Sequence, residues 1–398
     1  MEHVVRPGTP SLLRAINART LFDLIIGMEP ISAAQLSRYS GMSKPTVAQV
    51  LAHLEGRRLI RPAGRSSGGR GPAARLYEVD PSAGWVVGID VGRTFVRAAI
   101  ADLKGGLLAR RDERSRVRSS KTLIGQIGQV GRAVASEGGV GWRRVTFTVV
   151  GSPGVYEPAL GHVVLAHNLP GWQRRDLLPA LTQELGPHLE LENDVNLAAL
   201  GEQRLGAGKG VANFVFLQVG AGLGAGLILE GRLFRGATGA AGEVGYLPLG
   251  AEDPHDRASR RFGALETDIA ARGIARTARK LGMRGSLDPR RIFAAARRGD
   301  AIAGRVVDVE AERMAQAIAA IVPVIDPELV VLGGGVGRNG DLLLEPVRRE
   351  LRALSPFSPR IEVSTLGEDA ALQGALMVAL DAARNRLLDG PGLKATVG

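Results

Sequence analysis

Gly88-Ile89-Asp90-Val91-Gly92-Arg93-Thr94-Phe95 is the stretch whose reading decides the fold. It closes the apolar run Trp85-Val86-Val87-Gly88-Ile89, short enough for a buried strand, with the carboxylate of Asp90. A glycine turn then sends the chain into a second strand, Phe95 to Ala101, and Gly105-Gly106 turns it into a third. The unit returns downstream. Phe214-Val215-Phe216-Leu217-Gln218-Val219 runs into Gly220-Ala221-Gly222-Leu223-Gly224-Ala225-Gly226, followed by Leu227-Ile228-Leu229 and a turn at Gly231. A third site follows Asp326-Pro327, where Leu329-Val330-Val331-Leu332 meets Gly333-Gly334-Gly335. Two strand–glycine turn–strand units read as a duplication. Paired glycine loops can hold a nucleotide's phosphates because backbone N–H groups approach closely where no side chain intervenes. Any one loop is weak evidence and reads first as a structural turn; three in this order are much stronger.

The bulk composition sets the frame. With 398 residues the chain has room for two to three domains, and 45% apolar with 23% charged residues is ordinary for a globular protein. It contains no cysteine, which excludes disulfides, thiol nucleophiles and thiolate metal sites. A net charge of +11 favours a polyanionic partner, and +5 of it falls on residues 1–80. No apolar run reaches the ~18–20 residues of a membrane span. Met1-Glu2-His3 lacks a charged-then-apolar signal pattern, so the expected location is the cytoplasm, with no membrane partner.

Upstream of the deciding stretch, Leu13, Ile16, Leu21, Leu24 and Ile25 recur at nearly helical spacing and predict a helix over about 11–27. Ser32 and Gln35 form an S-x-x-Q capping box for a short helix through about Tyr39. Gly41 supplies a tight turn, and Ser43 caps a third helix with Val47, Val50, Leu51 and Leu54 on its core face. Its other face presents Lys44, Thr46, Gln49 and His53, groups suited to a major groove. Arg57-Arg58-Leu59-Ile60-Arg61 and Leu76-Tyr77-Glu78-Val79 read as two short strands around a tip, Arg65-Ser66-Ser67-Gly68-Gly69-Arg70-Gly71, that describes a wing for phosphates or a narrow minor groove. The expected DNA contacts are Ser43, Lys44, Thr46, Gln49, Arg65 and Arg70. An Arg-rich loop is often only a solvated surface; its place directly after three helices and a glycine turn makes the combination more specific.

Taken together these segments make the chain resemble the repressor/open-reading-frame/kinase (ROK) family, in its version with an N-terminal winged helix. The matching segments are Gly88 to Thr94, Gly151-Ser152-Pro153-Gly154, Asn168-Leu169-Pro170-Gly171-Trp172, Glu192-Asn193-Asp194-Val195-Asn196, Gly239-Ala240-Ala241-Gly242-Glu243-Val244-Gly245 and Leu332 to Gly335. The resemblance runs from about residue 11 to about 388. It implies an α/β chain: a winged helix-turn-helix at 1–80, then a two-lobed actin- and hexokinase-like domain. Its ribonuclease-H-like lobes would span 84–200 and 201–388, with 81–83 as linker and 389–398 as a disordered tail. It implies a homodimer or tetramer.

The family's sugar site maps onto Asn193, Asp194, Glu243 and Glu266, with Asp194 in the position of the general base that deprotonates the acceptor hydroxyl. Carboxylates, with two acceptor oxygens each, suit a polyol's array of donors. The alternative is that Asp194 caps a helix over Asn196–Gly201 and the glutamates are solvated. The ATP positions implied are Asp90, Gly92, Thr94, Gly222, Gly224 and Gly334.

The chain departs from the family's kinases in three places. They carry Asp-x-Gly-Gly-Thr-Lys at the first loop, where this chain has Arg93 for the second glycine and Phe95 for the lysine; Ala221 stands where a threonine is usual. Phosphoryl transfer depends on positioning and charge stabilisation, so these losses weigh more than the retained Asp194. The family's zinc ligands, a histidine and three cysteines, are also missing, with Tyr246 at the histidine position, where its hydroxyl can donate to sugar instead.

The leading expectation is therefore a sugar-responsive DNA-binding regulator, a repressor, that binds an inverted-repeat operator and a sugar effector without phosphorylating it. It would require no cofactor and no zinc. The alternatives are an active or bifunctional sugar kinase using ATP and Mg, and a protein-interaction scaffold with both sites vestigial.

Overall fold

The computed structural model describes residues 10–66, 73–157, 159–167, 169–250, 253 and 255–389. Helix α1 (Pro10–Met28) buries Leu21, Phe22 and Ile25, while Leu13 and Ile16 of the same apolar series stay 55% and 50% exposed, since the core begins only at Ala18. Strand β1 (Ile31–Ser32) enters α2 (Ala33–Ser40) through the expected capping box. The Ser32 hydroxyl accepts from the Gln35 N–H at 3.3 Å, and the Gln35 side chain accepts from the Ser32 N–H at 3.0 Å. Gly41 ends this helix at φ 71°, a left-handed conformation that favours glycine. Ser43 caps α3 (Lys44–Gly56), which buries Val47, Val50, Leu51 and Leu54.

Strands β2 (Ile60–Arg65) and β3 (Arg75–Val79) pair antiparallel to form the wing, with β1 added to β3. The first wing strand starts three residues later than expected. Arg57 instead closes α3, its N–H donating to the His53 carbonyl at 3.1 Å, and Arg58 turns the chain at φ 56°. From Ser67 to Gly71 the wing tip, Arg70 included, lies outside the described residues.

The duplication is present in full. In the first lobe β4 (Trp85–Val91), β5 (Phe95–Asp102) and β6 (Leu107–Arg114) form a meander, followed by α4 (Ser120–Glu137) and β7 (Val145–Ser152), which runs parallel to β4. A small hairpin of β8 (Val155–Glu157) and β9 (His162–Val164) precedes α5 (Leu177–Leu185) and β10 (Leu189–Asn193), parallel to β7. Helix α6 (Asp194–Leu205) follows. The second lobe repeats the plan with β11 (Phe214–Val219), β12 (Leu223–Leu229) and β13 (Arg232–Leu233). Five helices follow: α7 (Arg257–Phe262), α8 (Ala264–Ile269), α9 (Ala271–Lys280), α10 (Pro289–Arg297) and α11 (Ala301–Ile325). Then come β14 (Leu329–Gly333), α12 (Gly334–Gly337), α13 (Gly340–Leu354), β15 (Arg360–Val363) and the last helix, α14 (Ala370–Asp389). The strand orders β10-β7-β4-β5-β6 and β15-β14-β11-β12-β13 are the same arrangement twice. The chain is thus α/β, a winged helix-turn-helix joined to two ribonuclease-H-like lobes.

Two features differ from a division at residues 200 and 201. Helix α14 leaves the second lobe and packs on α6 and on β4, β5 and β7 of the first. Gly374 and Gly201 permit this approach: a methyl at Gly374 would strike the Leu197 carbonyl, and one at Gly201 the Ala370 carbonyl. The winged helix also shares its apolar core with this face. Leu36, Val47 and Leu54 belong to one buried cluster with Val86, Leu103, Leu376 and Leu380. Residues 81–83 form a helical turn, with the Asp80 side chain capping Ser82. Apart from Asp389, which ends α14, the expected tail lies outside the described residues.

Candidate functional site

A cleft of about 390 Å³ lies between the lobes. Each lobe contributes a glycine turn and a set of carboxylates to it.

On the first lobe, Asp90 lies one residue before the end of β4, and the turn closes with the Gly92 N–H donating to the Phe95 carbonyl at 2.9 Å. Arg93 and Thr94 at its tip are exposed and line the cleft, with Gly92 beside them. Antiparallel register then sets Arg97 directly opposite Asp90, its Nη1 3.3 Å from Asp90 Oδ2. Burial pushes the Asp90 carboxyl up to about 6, with the Arg97 guanidinium pulling the other way.

The first turn of α6 carries Asn193 and Asp194. Asn193, not Asp194, is the cap: its Oδ1 accepts from the Val195 and Asn196 N–H groups at 2.9 and 3.0 Å, and its Nδ2 donates to the Gly154 carbonyl at 3.0 Å. The helix begins at Asp194, two residues ahead of the span considered from sequence. Asp194 is left facing the cleft, raised to about 7 by burial and by the nearby Asp90 charge.

From the second lobe come Glu243 and Glu266. Glu243 follows Gly242, whose carbonyl accepts from the Ala225 N–H at 2.8 Å, pinning the loop to β12. It too rises to about 7, through burial and then repulsion from Glu266 and Asp194. Glu266 on α8 accepts from the Leu223 N–H at 2.9 Å, and burial raises it despite that bond. Three raised carboxyls therefore line one cleft, with Glu266 and Asp194 both adding to the rise of Glu243, and a carboxyl held protonated can donate as well as accept a hydrogen bond to a hydroxyl.

The remaining expected positions behave differently. Tyr246 is absent from the cleft lining; its hydroxyl donates to the Arg261 carbonyl at 3.1 Å and lies 3.3 Å from His167 Nε2. His167 itself lines the cleft, its ring edge-on to Phe262 at 5.6 Å. Burial lowers its pKa, keeping the imidazole neutral and able to serve a hydroxyl. Sequence reading overlooked it, although it directly precedes the Asn168–Trp172 motif. Gly222, Gly224 and Gly334 line the cleft. A methyl on Gly224 would press on the Val195 side chain at 3.2 Å, and Gly334 sits at φ 77° with its missing methyl aimed at the Val219 carbonyl, so local packing alone already requires glycine at 334.

The outer end of the cleft is an arginine cluster. Glu368, just before α14, accepts from Arg97 Nη2 at 2.8 Å and Arg338 Nη1 at 2.7 Å, with Arg290 at 3.8 Å. Asp90 paired to Arg97 and the side chain of Arg93 at the turn tip do not fit a metal-bound nucleotide phosphate. For zinc, no group of three His, Cys, Asp or Glu able to hold a metal occurs among the described residues.

On the winged helix, α3 exposes Ser43, Lys44 and Gln49, with Thr46 half-buried. Ser43 Oγ accepts from the Thr46 N–H at 3.3 Å and lies 2.8 Å from Thr46 Oγ1, so this pair holds the helix start and leaves Lys44 and Gln49 unencumbered. Arg65 at the end of β2 is exposed. Among the described residues no helix is long and apolar enough to cross a membrane.

The model of the ROK family matches residues 86–382. The chain belongs to the ROK family. It is 28% identical to the xylose repressor of Caldicellulosiruptor bescii over 94% of this chain and 97% of that protein. It is 30% identical to a glucokinase of Halalkalibacterium halodurans, over 73% of this chain and 93% of the enzyme. Among solved structures, a ROK family transcriptional regulator homologous to the E. coli MLC protein superposes with a TM-score of 0.79 at 22% identity, covering 94% of this chain and 98% of that one. The ROK hexokinase of Thermus thermophilus gives 0.63 at 32% identity, covering 76% and 100%. The kinases align with the two lobes' share of the length. The two regulators span the winged helix as well.

Proposed function

We propose that this ROK protein is a sugar-responsive transcriptional repressor that binds operator DNA through α3 and the wing. In this reading it holds a neutral sugar between Asn193, Asp194, Glu243 and Glu266 and does not phosphorylate it. One observation carries the second half: Arg97 occupies Asp90 while Asp194, Glu243 and Glu266 remain open to the cleft. The sugar half of the site keeps its acceptors, while at the phosphate half Asp90 is taken up by Arg97 and Arg93 puts a side chain where backbone would approach a phosphate. His167 joins the sugar contacts in this reading, with Tyr246 orienting its ring. No nucleotide or zinc is required. The likeness to a xylose repressor along nearly the whole chain makes an aldose such as xylose the first ligand to try, and the glucokinase relatives add glucose. The protein acts in the cytoplasm as a homodimer or tetramer on an inverted repeat, since two-fold protein symmetry matches a palindromic site.

The test is calorimetry against D-xylose, D-glucose, other monosaccharides and their phosphates, with and without ATP, together with selection of operator duplexes from a randomised library. Binding of a neutral sugar without turnover, and recovery of an inverted repeat, is the expected result. Tight binding of a sugar phosphate with none of its parent sugar overturns the assignment. The kinase reading is kept alive by Asp194 in the base position; sugar-dependent ADP release that Asp194→Asn abolishes would establish it.

A further inference from the structure

We propose that α14 is the rod through which the cleft acts on the DNA-reading head, gripped by Glu368 at one end and by Arg57 at the other. This rests on the regulatory reading above and names the route that regulation takes.

The helix is the right length and in the right place. Twenty residues at 1.5 Å each reach about 30 Å. Ala370 and Ala371 at its start line the cleft, and Glu368, two residues before it, bonds Arg97 of the first lobe and Arg338 of the second. Any change in lobe separation must stretch or release that pair of contacts. Asp369 is tied as well, by two bonds from Arg110 at 2.7 and 2.8 Å.

A second input reaches the same point from the sugar side. Helix α6 starts at Asn193-Asp194 in the cleft and lies backbone to backbone on α14 at Gly201 and Gly374. Its Glu202, fully buried, accepts from the Leu366 N–H at 3.1 Å and from the Ser364 and Thr365 hydroxyls. Movement of the Asp194 end is thus carried into residues 364–366, directly ahead of Glu368. Helices packed this closely shift as units, because no soft side-chain layer lies between them.

The far end of α14 belongs to the head. Arg57, closing the reading helix α3, donates to the Leu388 carbonyl at 2.8 Å and to the Leu387 carbonyl. It satisfies two of the last-turn carbonyls of α14 with a cation at the negative end of the helix dipole. Leu376, Leu380 and Ala383 share the buried cluster with Leu21, Ile25 and Leu54 of the head. A displaced α14 therefore carries α3 with it, and in a dimer that changes the spacing of two reading helices.

Position between two sites is not itself coupling, so the test measures coupling. In the full-length protein, the affinity for the tightest inverted repeat recovered by selection is measured with and without saturating D-xylose, then D-glucose. Wild type is expected to show at least a fivefold change with one of these sugars. Arg57→Ala, Arg57→Lys and Glu368→Gln are each expected to bring the ratio below twofold while sugar binding by calorimetry persists. Lysine keeps the charge but cannot hold two carbonyls. Glu368→Gln lies a helix length from the head, so misfolding of the head cannot explain its effect. Hydrogen exchange adds a second readout: sugar should alter protection across residues 380–389 in wild type and not in Glu368→Gln. A wild-type ratio in all three variants overturns the rod while leaving the regulator intact. A wild type that binds the operator but is indifferent to every sugar overturns the regulatory reading itself.

Discussion

Arg97 stands 3.3 Å from Asp90 across the first hairpin, the two residues paired by strand register. A carboxylate at the head of a phosphate loop is useful when it is free to meet a metal or a water. Here it is held by a side-chain cation that also reaches Glu368.

From this pairing, purified protein is expected to show no sugar-dependent ADP release above background with hexoses, pentoses or N-acetylhexosamines. A coupled assay checks it. Turnover at 1 s⁻¹ or so, an ordinary order of magnitude for kinases, would contradict the expectation.

The clustered carboxyls make stability depend on pH. Asp194 and Glu243, both raised to about 7, keep protons in the folded chain that the unfolded chain gives up near pH 4. Stability from these groups is thus present below that point and is lost as pH rises towards 7. Asp194→Asn or Glu243→Gln should therefore stabilise the sugar-free protein by about 1 kcal/mol at pH 8 and by nothing measurable at pH 4, the figure being kept small because the cleft admits water. Urea titrations at the two pH values decide it; equal effects at both count against carboxyls raised by burial in the cleft.

Glu310 on α11 is 1% exposed, and neither carboxylate oxygen has a hydrogen-bond partner among the described residues. Burial pushes its carboxyl well up, so the folded chain pays for any charge there as pH rises. Glu310→Met, similar in volume, should raise stability by roughly 1–3 kcal/mol at pH 8. A loss of stability, read by the same denaturation, would show that the carboxyl has a role in the fold.

On the reading helix, Gln49→Ala should weaken the selected operator more than random DNA, by roughly 1–3 kcal/mol for a bidentate base contact. Lys44→Ala and Arg65→Ala should weaken both, each lowering the salt slope by about 1 if it neutralises one phosphate. Anisotropy titrations across salt distinguish these patterns. Equal losses on both duplexes for Gln49→Ala would mean that another face of α3 reads the bases.

The amino-acid sequence by itself determined whatever short-range physics controls. The Ser32–Gln35 box, the Ser43 cap, the left-handed turn at Gly41 and the repeated strand–glycine–strand units are set by residues a few positions apart, and all are visible in the chain. Even the Arg97–Asp90 pair was within reach, since counting outward from the turn at Gly92 to Phe95 places them opposite each other. What only the tertiary structure decided are the meetings of residues far apart in sequence. Asn193 takes the cap and leaves Asp194 to the cleft because β10 delivers the chain beside Gly154. Tyr246 is absent from the cleft lining and meets His167, 79 positions away, and Glu368 gathers arginines from both lobes. Helix α14 crosses back to the first lobe because Gly201 and Gly374 let two backbones touch, and there it meets Arg57 of the head. No periodicity encodes such contacts: they depend on which surfaces the folded lobes bring together, and a glycine or an arginine reads the same in sequence whichever partner it finds.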